Sequence, residues 1–191
     1  MASLLPSLSE KFGADATLPQ QCVDFLNVAW TRYHAVAECG RRLQESGFQR
    51  LDERDQWTDL IKPGGRYFFE RGGTAMVAFA VGAKYVAGNG LIVIGTHTDS
   101  PHLRLKPTSK ITSHGVLQMG VQTYGGGLWS TWFDRDLSVA GSVVLRGTNG
   151  ALQRKLLKIA RPICRVPMLA AHLERGTGTK ITINTEAHLP A

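Results

Sequence analysis

The stretch LIVIGTHTDSPHLRLKP, residues 91 to 107, decides the fold of this chain. It opens on Leu91 to Ile94, an uninterrupted apolar run rich in β-branched side chains, which predicts a strand buried on both faces of a parallel or mixed sheet. Polar residues begin directly after Gly95. Ligands bind beyond the carboxyl ends of the strands in open α/β sheets, so His97 to Ser100 are predicted to line a site.

His97 and Asp99 are the candidate site residues of this stretch. Side chains two residues apart in an extended segment leave the backbone on the same side, so both can face one metal ion or one substrate. A metal-bound imidazole needs a partner for its other ring nitrogen, and a carboxylate is a common one. The His-x-Asp pattern also occurs often by chance, and alone it indicates a metal site only weakly.

Composition limits the classes of protein to which the chain can belong. Its 191 residues, 43% of them hydrophobic, allow one ordinary domain or parts of two with a sizeable core. The longest apolar runs are far shorter than the ~20 residues that span a bilayer, and the N-terminus lacks the features of a secretory signal. The chain is therefore expected to be cytoplasmic and to make no contact with a membrane. The three cysteines are odd in number and widely spaced, so neither a disulfide framework nor a zinc knuckle is indicated.

The formal net charge of +7 raises the question of nucleic-acid binding. In the densest basic stretch, Arg154 to Arg165, the charged residues alternate with apolar ones, a pattern that predicts a strand with one solvated face. No recognised nucleic-acid module is present. Nucleic acid is therefore not an expected partner.

The N-terminal half is predicted to be α/β. After an irregular N-terminus, residues 1–18, apolar residues recur at spacings of three and four from Pro19, which predicts one unbroken helix. Gly47 is the predicted C-terminal cap of that helix. A hairpin with strands at 66–71 and 74–81 is predicted to close at Gly72 and Gly73.

The second half is predicted to be mainly antiparallel β structure. Strand-like runs follow one another from residue 111 to residue 159, and Gly147 to Gly150 is a strong hairpin turn between two of them. These runs contain no competing helical periodicity. The change of pattern places a domain boundary near residues 104 to 108.

Two blocks of sequence resemble the aspartyl aminopeptidase family. The first is HTDSP at 97–101, followed by Leu103, Lys106 and Pro107; the second is YGGGLWSTWFDRDL at 124–137. Weaker matches are HAVAE at 34–38, PGG at 63–65, AFAVG at 78–82, GNG at 88–90, RPI at 161–163 and Glu186 with His188 and Leu189. The resemblance therefore extends in order from about residue 18 to residue 189.

The resemblance implies a domain organisation, a reaction and a set of partners. Residues 19–105 would be the N-terminal part of a zinc-peptidase mixed-sheet α/β domain, and 106–191 an inserted, incomplete, antiparallel β-rich dimerisation domain. The family removes N-terminal acidic residues, Asp or Glu, from peptides with water activated on a pair of zinc ions. Its members form homo-oligomers built from dimers, up to a dodecamer.

The resemblance also assigns roles to single residues. His97 would bind a metal ion, and Asp99 would be the catalytic carboxylate that orients it. His172 matches a position near the active site and could reach the site of a neighbouring subunit, with a solvated surface histidine as the alternative. The family's other metal ligands and its general base have no counterpart here.

Two functional hypotheses follow. In the first, the chain is a truncated zinc aminopeptidase that is inactive alone, and whose Leu91–Ile94 strand lacks a sheet neighbour. In the second, the chain is a non-catalytic oligomerisation or interaction fragment of the same family that uses Trp129, Trp132 and Phe133 as contacts, because aromatic residues are enriched at interface cores. A serine hydrolase is disfavoured, since Ser100 stands before proline and outside a Gly-x-Ser-x-Gly turn.

Overall fold

The computed structural model describes residues 17–113, 115–170, 172–173 and 182–190. Most of the predicted irregular N-terminus, residues 1–16, lies outside this part of the chain. The described elements are α1 (Thr17–Val28), α2 (Arg32–Glu45), β1 (Gln49–Arg50), β2 (Arg66–Arg71), β3 (Ala75–Ala80), β4 (His102–Ser113), β5 (Val116–Tyr124), a 3-10 helix (Trp129–Trp132), β6 (Ala140–Arg146) and β7 (Leu152–Lys158). The fold is mixed α/β, as the sequence predicts.

The chain divides into two compact units. The first unit contains the residues up to Asp99 together with Gly141–Leu156, and the second contains Ser100–Ala140 and the residues from Leu157 onward. The stretch 91–107 therefore contributes to both units. Each unit has its own small group of buried apolar residues.

The prediction of one unbroken N-terminal helix is wrong, because the helix is interrupted between α1 and α2. Thr31 has extended dihedral angles, φ −137° and ψ 164°, and its hydroxyl accepts a hydrogen bond from the backbone N–H of His34. A threonine in this conformation caps a new helix, so the chain begins α2 at Arg32 rather than continuing α1.

The end of α2 is as predicted. Gly47 has a φ of +82°, which a residue with a side chain rarely adopts. The N–H of Phe48 donates to the carbonyl of Leu43, and the N–H of Gly47 donates to the carbonyl of Gln44. These bonds satisfy carbonyl groups that the helix end would otherwise leave unpaired.

The first unit contains a three-stranded sheet in the order β1-β2-β3. β2 and β3 form the predicted hairpin, whose turn residues Gly72 and Gly73 have φ of +60° and +68°. α2 packs closely on β2, since a Cβ atom at Gly40 would lie 3.3 Å from the ring of Phe68. Val36 and Phe68, which are 2% and 0% exposed, form the centre of this packing.

The second unit is built on the antiparallel pair β4-β5, whose register shifts between Leu105 and Lys110. Val121, Val166 and Leu189 form its buried core. Leu103, Trp129, Phe133, Leu137 and Ile183 are half-buried against this core. Most of β6 and β7 belongs to the first unit, which contains Gly141–Leu156. The two strands form a separate two-stranded sheet and are joined by the predicted turn at Gly147 to Gly150.

The predicted central strand, Leu91 to Ile94, is not a strand in the structure, so this prediction is wrong. The four residues have no regular secondary structure, and their side chains are 79%, 98%, 83% and 85% exposed. A strand exists only through hydrogen bonds to a neighbour, and none of the described strands pairs with this segment. The sequence has the side chains of a buried strand, but the described residues do not bury them.

Candidate metal centre

His97 and Asp99 lie together directly after the exposed run Leu91–Ile94. Nδ1 of His97 is 2.8 Å from Oδ1 of Asp99 and 3.2 Å from the backbone carbonyl oxygen of Asp99. The side chain of His97 is 87% exposed, whereas that of Asp99 is 29% exposed. The two side chains therefore face the same side, as the spacing predicts.

The carboxylate determines which ring nitrogen is available for a metal. An acceptor at Nδ1 favours the tautomer with its proton on Nδ1, and this proton is donated to Asp99. Nε2 then carries the lone pair that a metal ion requires, on a ring that solvent reaches freely. The pair has the chemistry of one histidine ligand with its supporting carboxylate.

The imidazole of His97 and the carboxylate of Asp99 are donor groups of the kind that bind zinc, but two such residues are too few for a complete site. Zinc in proteins binds imidazole nitrogen and carboxylate oxygen, and its sites use at least three protein ligands. In residues 17–113, 115–170, 172–173 and 182–190, no three His, Cys, Asp or Glu side chains come close enough together to hold a metal ion. Within these ranges, His97 and Asp99 therefore do not complete a metal site by themselves.

The other histidines have different surroundings. His34 is buried, and its Nδ1 lies 2.8 Å from the hydroxyl of Thr31. The ring of His102 lies 5.0 Å from that of Tyr124, the residue opposite it on β5. His172 is exposed in a short turn, next to residues outside the described part of the chain. Its contribution to an active site stays a prediction.

The glycine-rich block that begins at Tyr124 packs against the end of the first block. A Cβ atom at Gly125 would lie 3.5 Å from Pro101, and one at Gly127 would lie 3.3 Å from it. Gly125 also has a φ of +75°. The two blocks that carry the family resemblance are therefore in direct contact through Pro101.

Asp134 and Asp136 have structural partners in the second unit. Asp134 has a φ of +55°, donates its N–H to the carbonyl of Val166, and accepts the N–H of Met168 on its carboxylate. Asp136 is 2.8 Å from Arg165, and both side chains are exposed. The acidic segment is therefore a solvated turn and not a buried charge cluster.

Glu38 is a buried charge in α2 that is not among the site residues predicted from the sequence. Its side chain is 7% exposed and accepts hydrogen bonds of 2.6 and 2.7 Å from Arg41 and one of 2.7 Å from Arg42. The hydrogen bonds from Arg41 are the main cause that lowers the pKa of Glu38 to about 2, against the opposing effect of burial. Arg41 and Arg42 follow Glu38 by three and four residues in the same helix. This spacing is the sequence pattern that indicates ion pairs between them.

Cys39 and Cys164 are not activated nucleophiles. Burial raises the pKa of the thiols of Cys39 and Cys164, which keeps both in the neutral form. Cys22 is exposed. None of the helices in the described ranges is long and apolar enough to cross a membrane.

Comparison with known proteins identifies the family. Residues 25–191 match the family described as aminopeptidase I zinc metalloprotease (M18). A probable aspartyl aminopeptidase of Ricinus communis is 49% identical over 177 residues, an alignment that covers 91% of this chain and 36% of the relative. The chain thus spans about a third of the length of the curated relatives it matches.

Solved structures agree with the sequence comparison. The structure of Chaetomium thermophilum mApe1 matches with a TM-score of 0.82 and 39% identity, covering 91% of this chain and 39% of that one. The S. cerevisiae mApe1 dodecamer matches with a TM-score of 0.73 and 34% identity, covering 80% of this chain and 36% of that one. With the family match over residues 25–191, these likenesses show that the chain belongs to the aminopeptidase I zinc metalloprotease (M18) family.

Proposed function

We propose that this chain contributes to a zinc-dependent aminopeptidase that releases N-terminal Asp or Glu from peptides. The observation that supports this proposal most directly is the 2.8 Å contact between Nδ1 of His97 and the carboxylate of Asp99. The His97 side chain is 87% exposed, so its other ring nitrogen can reach a metal ion. The aspartyl aminopeptidase names of relatives at 44–49% identity support the reaction and the acidic substrate. A cytoplasmic location stays a prediction from the sequence.

The roles of the two residues follow from their geometry. His97 would hold a metal ion through Nε2, and Asp99 would fix the ring by accepting the Nδ1 proton. Zinc, when bound, polarises the scissile carbonyl and lowers the pKa of water, and the family resemblance implies a pair of such ions. The remaining ligands and the general base would come from outside the described residues.

The test uses a joined polypeptide, in which this chain replaces the matched third of the Ricinus communis relative. Release of aspartate from an Asp-initiated dipeptide is measured beside release from a Leu-initiated one. We expect preferential release of aspartate, and loss of at least about 100-fold in kcat/KM on His97→Ala, because the metal site loses a ligand. Equal turnover of both dipeptides would contradict the acidic preference, and unchanged turnover in His97→Ala would contradict the role of His97.

A second candidate function, homo-oligomerisation through the β-rich part, is favoured by the β6-β7 hairpin. Isolated two-stranded sheets are marginally stable in water, and this one exposes Val144 at 61% and Leu152 at 65%. The dodecamer formed by S. cerevisiae mApe1 supports homo-oligomerisation. Trp129 and Phe133, the contacts predicted from the sequence, are half-buried against the core of the second unit and are weaker candidates.

Light scattering after gel filtration of the joined polypeptide tests this second function. Leu152→Asp should reduce the oligomer to smaller species, because a charge in an apolar interface is costly to desolvate. Leu18→Asp changes a leucine that is 67% exposed on α1, outside the hairpin, and is the matched control. An unchanged oligomer in Leu152→Asp would exclude the hairpin as the contact.

A further inference from the structure

Asp134 has a backbone conformation that residues other than glycine rarely adopt. Its φ is +55°, and among the residues that the structure describes it is the one non-glycine residue with a positive φ. A side chain in this left-handed region costs free energy, and proteins retain such strain mainly where the surrounding contacts or a function require it. The contacts of Asp134 therefore indicate what this conformation serves.

These contacts join Asp134 to one short segment, Val166 to Met168. The backbone N–H of Asp134 donates to the carbonyl oxygen of Val166 at 2.9 Å, and its carboxylate oxygen Oδ1 accepts the N–H of Met168 at 3.1 Å. Pro167 stands between these two partners and has no N–H of its own. The Asp134 side chain thus extends past the proline a pairing that the backbone bridge between Phe133 and Val166 begins.

Burial fixes only the beginning of this segment. Val166 is 0% exposed and belongs to the core of the second unit. Each described residue that follows it, 167–170 and 172–173, is exposed. The hydrogen bond from Met168 to the carboxylate of Asp134 therefore holds the chain at the point where packing ends.

The segment leads to an exposed histidine. His172 follows Met168 by four residues, in a turn in which the N–H of Leu173 donates to the carbonyl oxygen of Ala170 at 2.8 Å. An imidazole both donates and accepts protons near neutral pH, which suits it to act on a peptide bond. Among the described residues from 166 to 173, His172 has the only side chain with this capacity.

We propose that Asp134 is a positioning residue for the aminopeptidase reaction: by holding Met168, its carboxylate directs the imidazole of His172 for its part in the reaction. This inference rests on the proposed function and adds a residue to it. In this role the carboxylate contacts neither the substrate nor a metal ion, and it acts through His172. A merely structural role would instead lower stability and leave the kcat of the folded protein unchanged.

Two substitutions separate the carboxylate from the backbone conformation. Asp134→Gly keeps a residue that adopts a positive φ without strain but removes the acceptor, whereas Asp134→Asn keeps an acceptor oxygen and a side chain that tolerates this region. In the joined polypeptide, we expect Asp134→Gly to lower kcat for an Asp-initiated dipeptide about tenfold, with KM and zinc content unchanged. Asp134→Asn should stay within about threefold of the wild type.

Asp136→Ala is the matched control. Asp136 also contacts this part of the chain, through Arg165 at 2.8 Å, but it does so ahead of the buried Val166. Its removal should therefore leave kcat unchanged.

A double substitution tests whether Asp134 acts through His172. His172→Ala should lower kcat at least about tenfold, and Asp134→Gly combined with His172→Ala should be no slower than His172→Ala alone. Two residues with independent effects would instead give losses that multiply.

Amide exchange gives a readout that does not depend on activity. In residues 1–191, the amide of Met168 should exchange about tenfold faster in Asp134→Gly, whereas that of Val121, in the core, should be unchanged. Unchanged exchange at Met168, an unchanged kcat in Asp134→Gly or His172→Ala beside an active wild type, or multiplying losses in the double substitution would each overturn this inference and leave the proposed function standing. A wild type that releases no aspartate would overturn the proposed function and this role with it.

Discussion

Nδ1 of His97 lies 2.8 Å from Oδ1 of Asp99, and the carboxylate is the more buried partner of the two, at 29% exposure against 87%. The less exposed carboxylate is thus suited to hold a ring that solvent reaches. Metal sites use this arrangement to fix the tautomer and direction of an imidazole ligand. We therefore expect Asp99 to position the ring, a role that can be measured separately from metal binding by His97.

Asp99→Asn should weaken zinc binding by the joined polypeptide about 10- to 100-fold, because asparagine keeps an acceptor oxygen but loses the charge that supports the imidazole. Competition with a chromogenic chelator measures the affinity. Asp136→Asn, which alters an exposed ion pair with Arg165, is the control and should leave zinc affinity unchanged. Equal affinity in Asp99→Asn and the wild type would refute the positioning role.

Glu38→Gln should lower the free energy of unfolding by about 2 kcal/mol, because a buried carboxylate whose two oxygens accept hydrogen bonds from Arg41 and Arg42 becomes a neutral amide with one acceptor oxygen. Urea denaturation of the joined polypeptide gives the value. Glu45→Gln, in the exposed pair with Arg41, is the control and should cost less than about 0.5 kcal/mol. The importance of the buried pair would be disproved if both substitutions had the same small effect.

The same carboxylate should make stability depend on pH in the acid range. The pKa of Glu38 is lowered from 4.5 to about 2 in the folded chain, chiefly by its hydrogen bonds from Arg41. The unfolded state therefore binds a proton first, so this stabilisation is present above about pH 4.5 and is lost as pH falls toward 2. The difference in unfolding free energy between the wild type and Glu38→Gln should shrink over that range, and a constant difference would contradict the lowered pKa.

Thr31→Ala should destabilise α2 by about 1 kcal/mol, since it removes the side chain that caps the helix through the N–H of His34. Thr31→Ser keeps the hydroxyl and should stay within about 0.5 kcal/mol of the wild type. Thermal unfolding followed by circular dichroism compares the three proteins. Equal stability of the alanine and serine variants would show that the cap contributes nothing.

Local features of this fold could be predicted from the sequence. Glycine at both positions of the Gly72–Gly73 turn has a positive φ in the structure, and Gly47 ends α2 as expected. Such positions depend on the backbone freedom of a single residue, so a short window of sequence identifies them. The contact between His97 and Asp99 is also local, because it follows from their spacing in an extended segment.

Features that depend on distant residues could not be predicted in the same way. Leu91–Ile94 has the composition of a buried strand, but pairing requires neighbours, and none of the described strands provides them. Leu189, which is 0% exposed, joins the core with Val121 and Val166 through contacts that no local pattern indicates. The helix break at Thr31 is an exception, because its cause is local: threonine is a common helix cap, but the apolar spacing continues across it and predicts an unbroken helix.

Zinc content of the joined polypeptide, measured by atomic emission after dialysis, tests the central claim most directly. The comparison is between the wild type, His97→Ala and His102→Ala, whose ring lies against Tyr124. We predict tightly bound zinc in the wild type and in His102→Ala, and loss of bound zinc in His97→Ala. Full zinc content in His97→Ala, or equal loss in both variants, would contradict the assignment of His97 as a ligand.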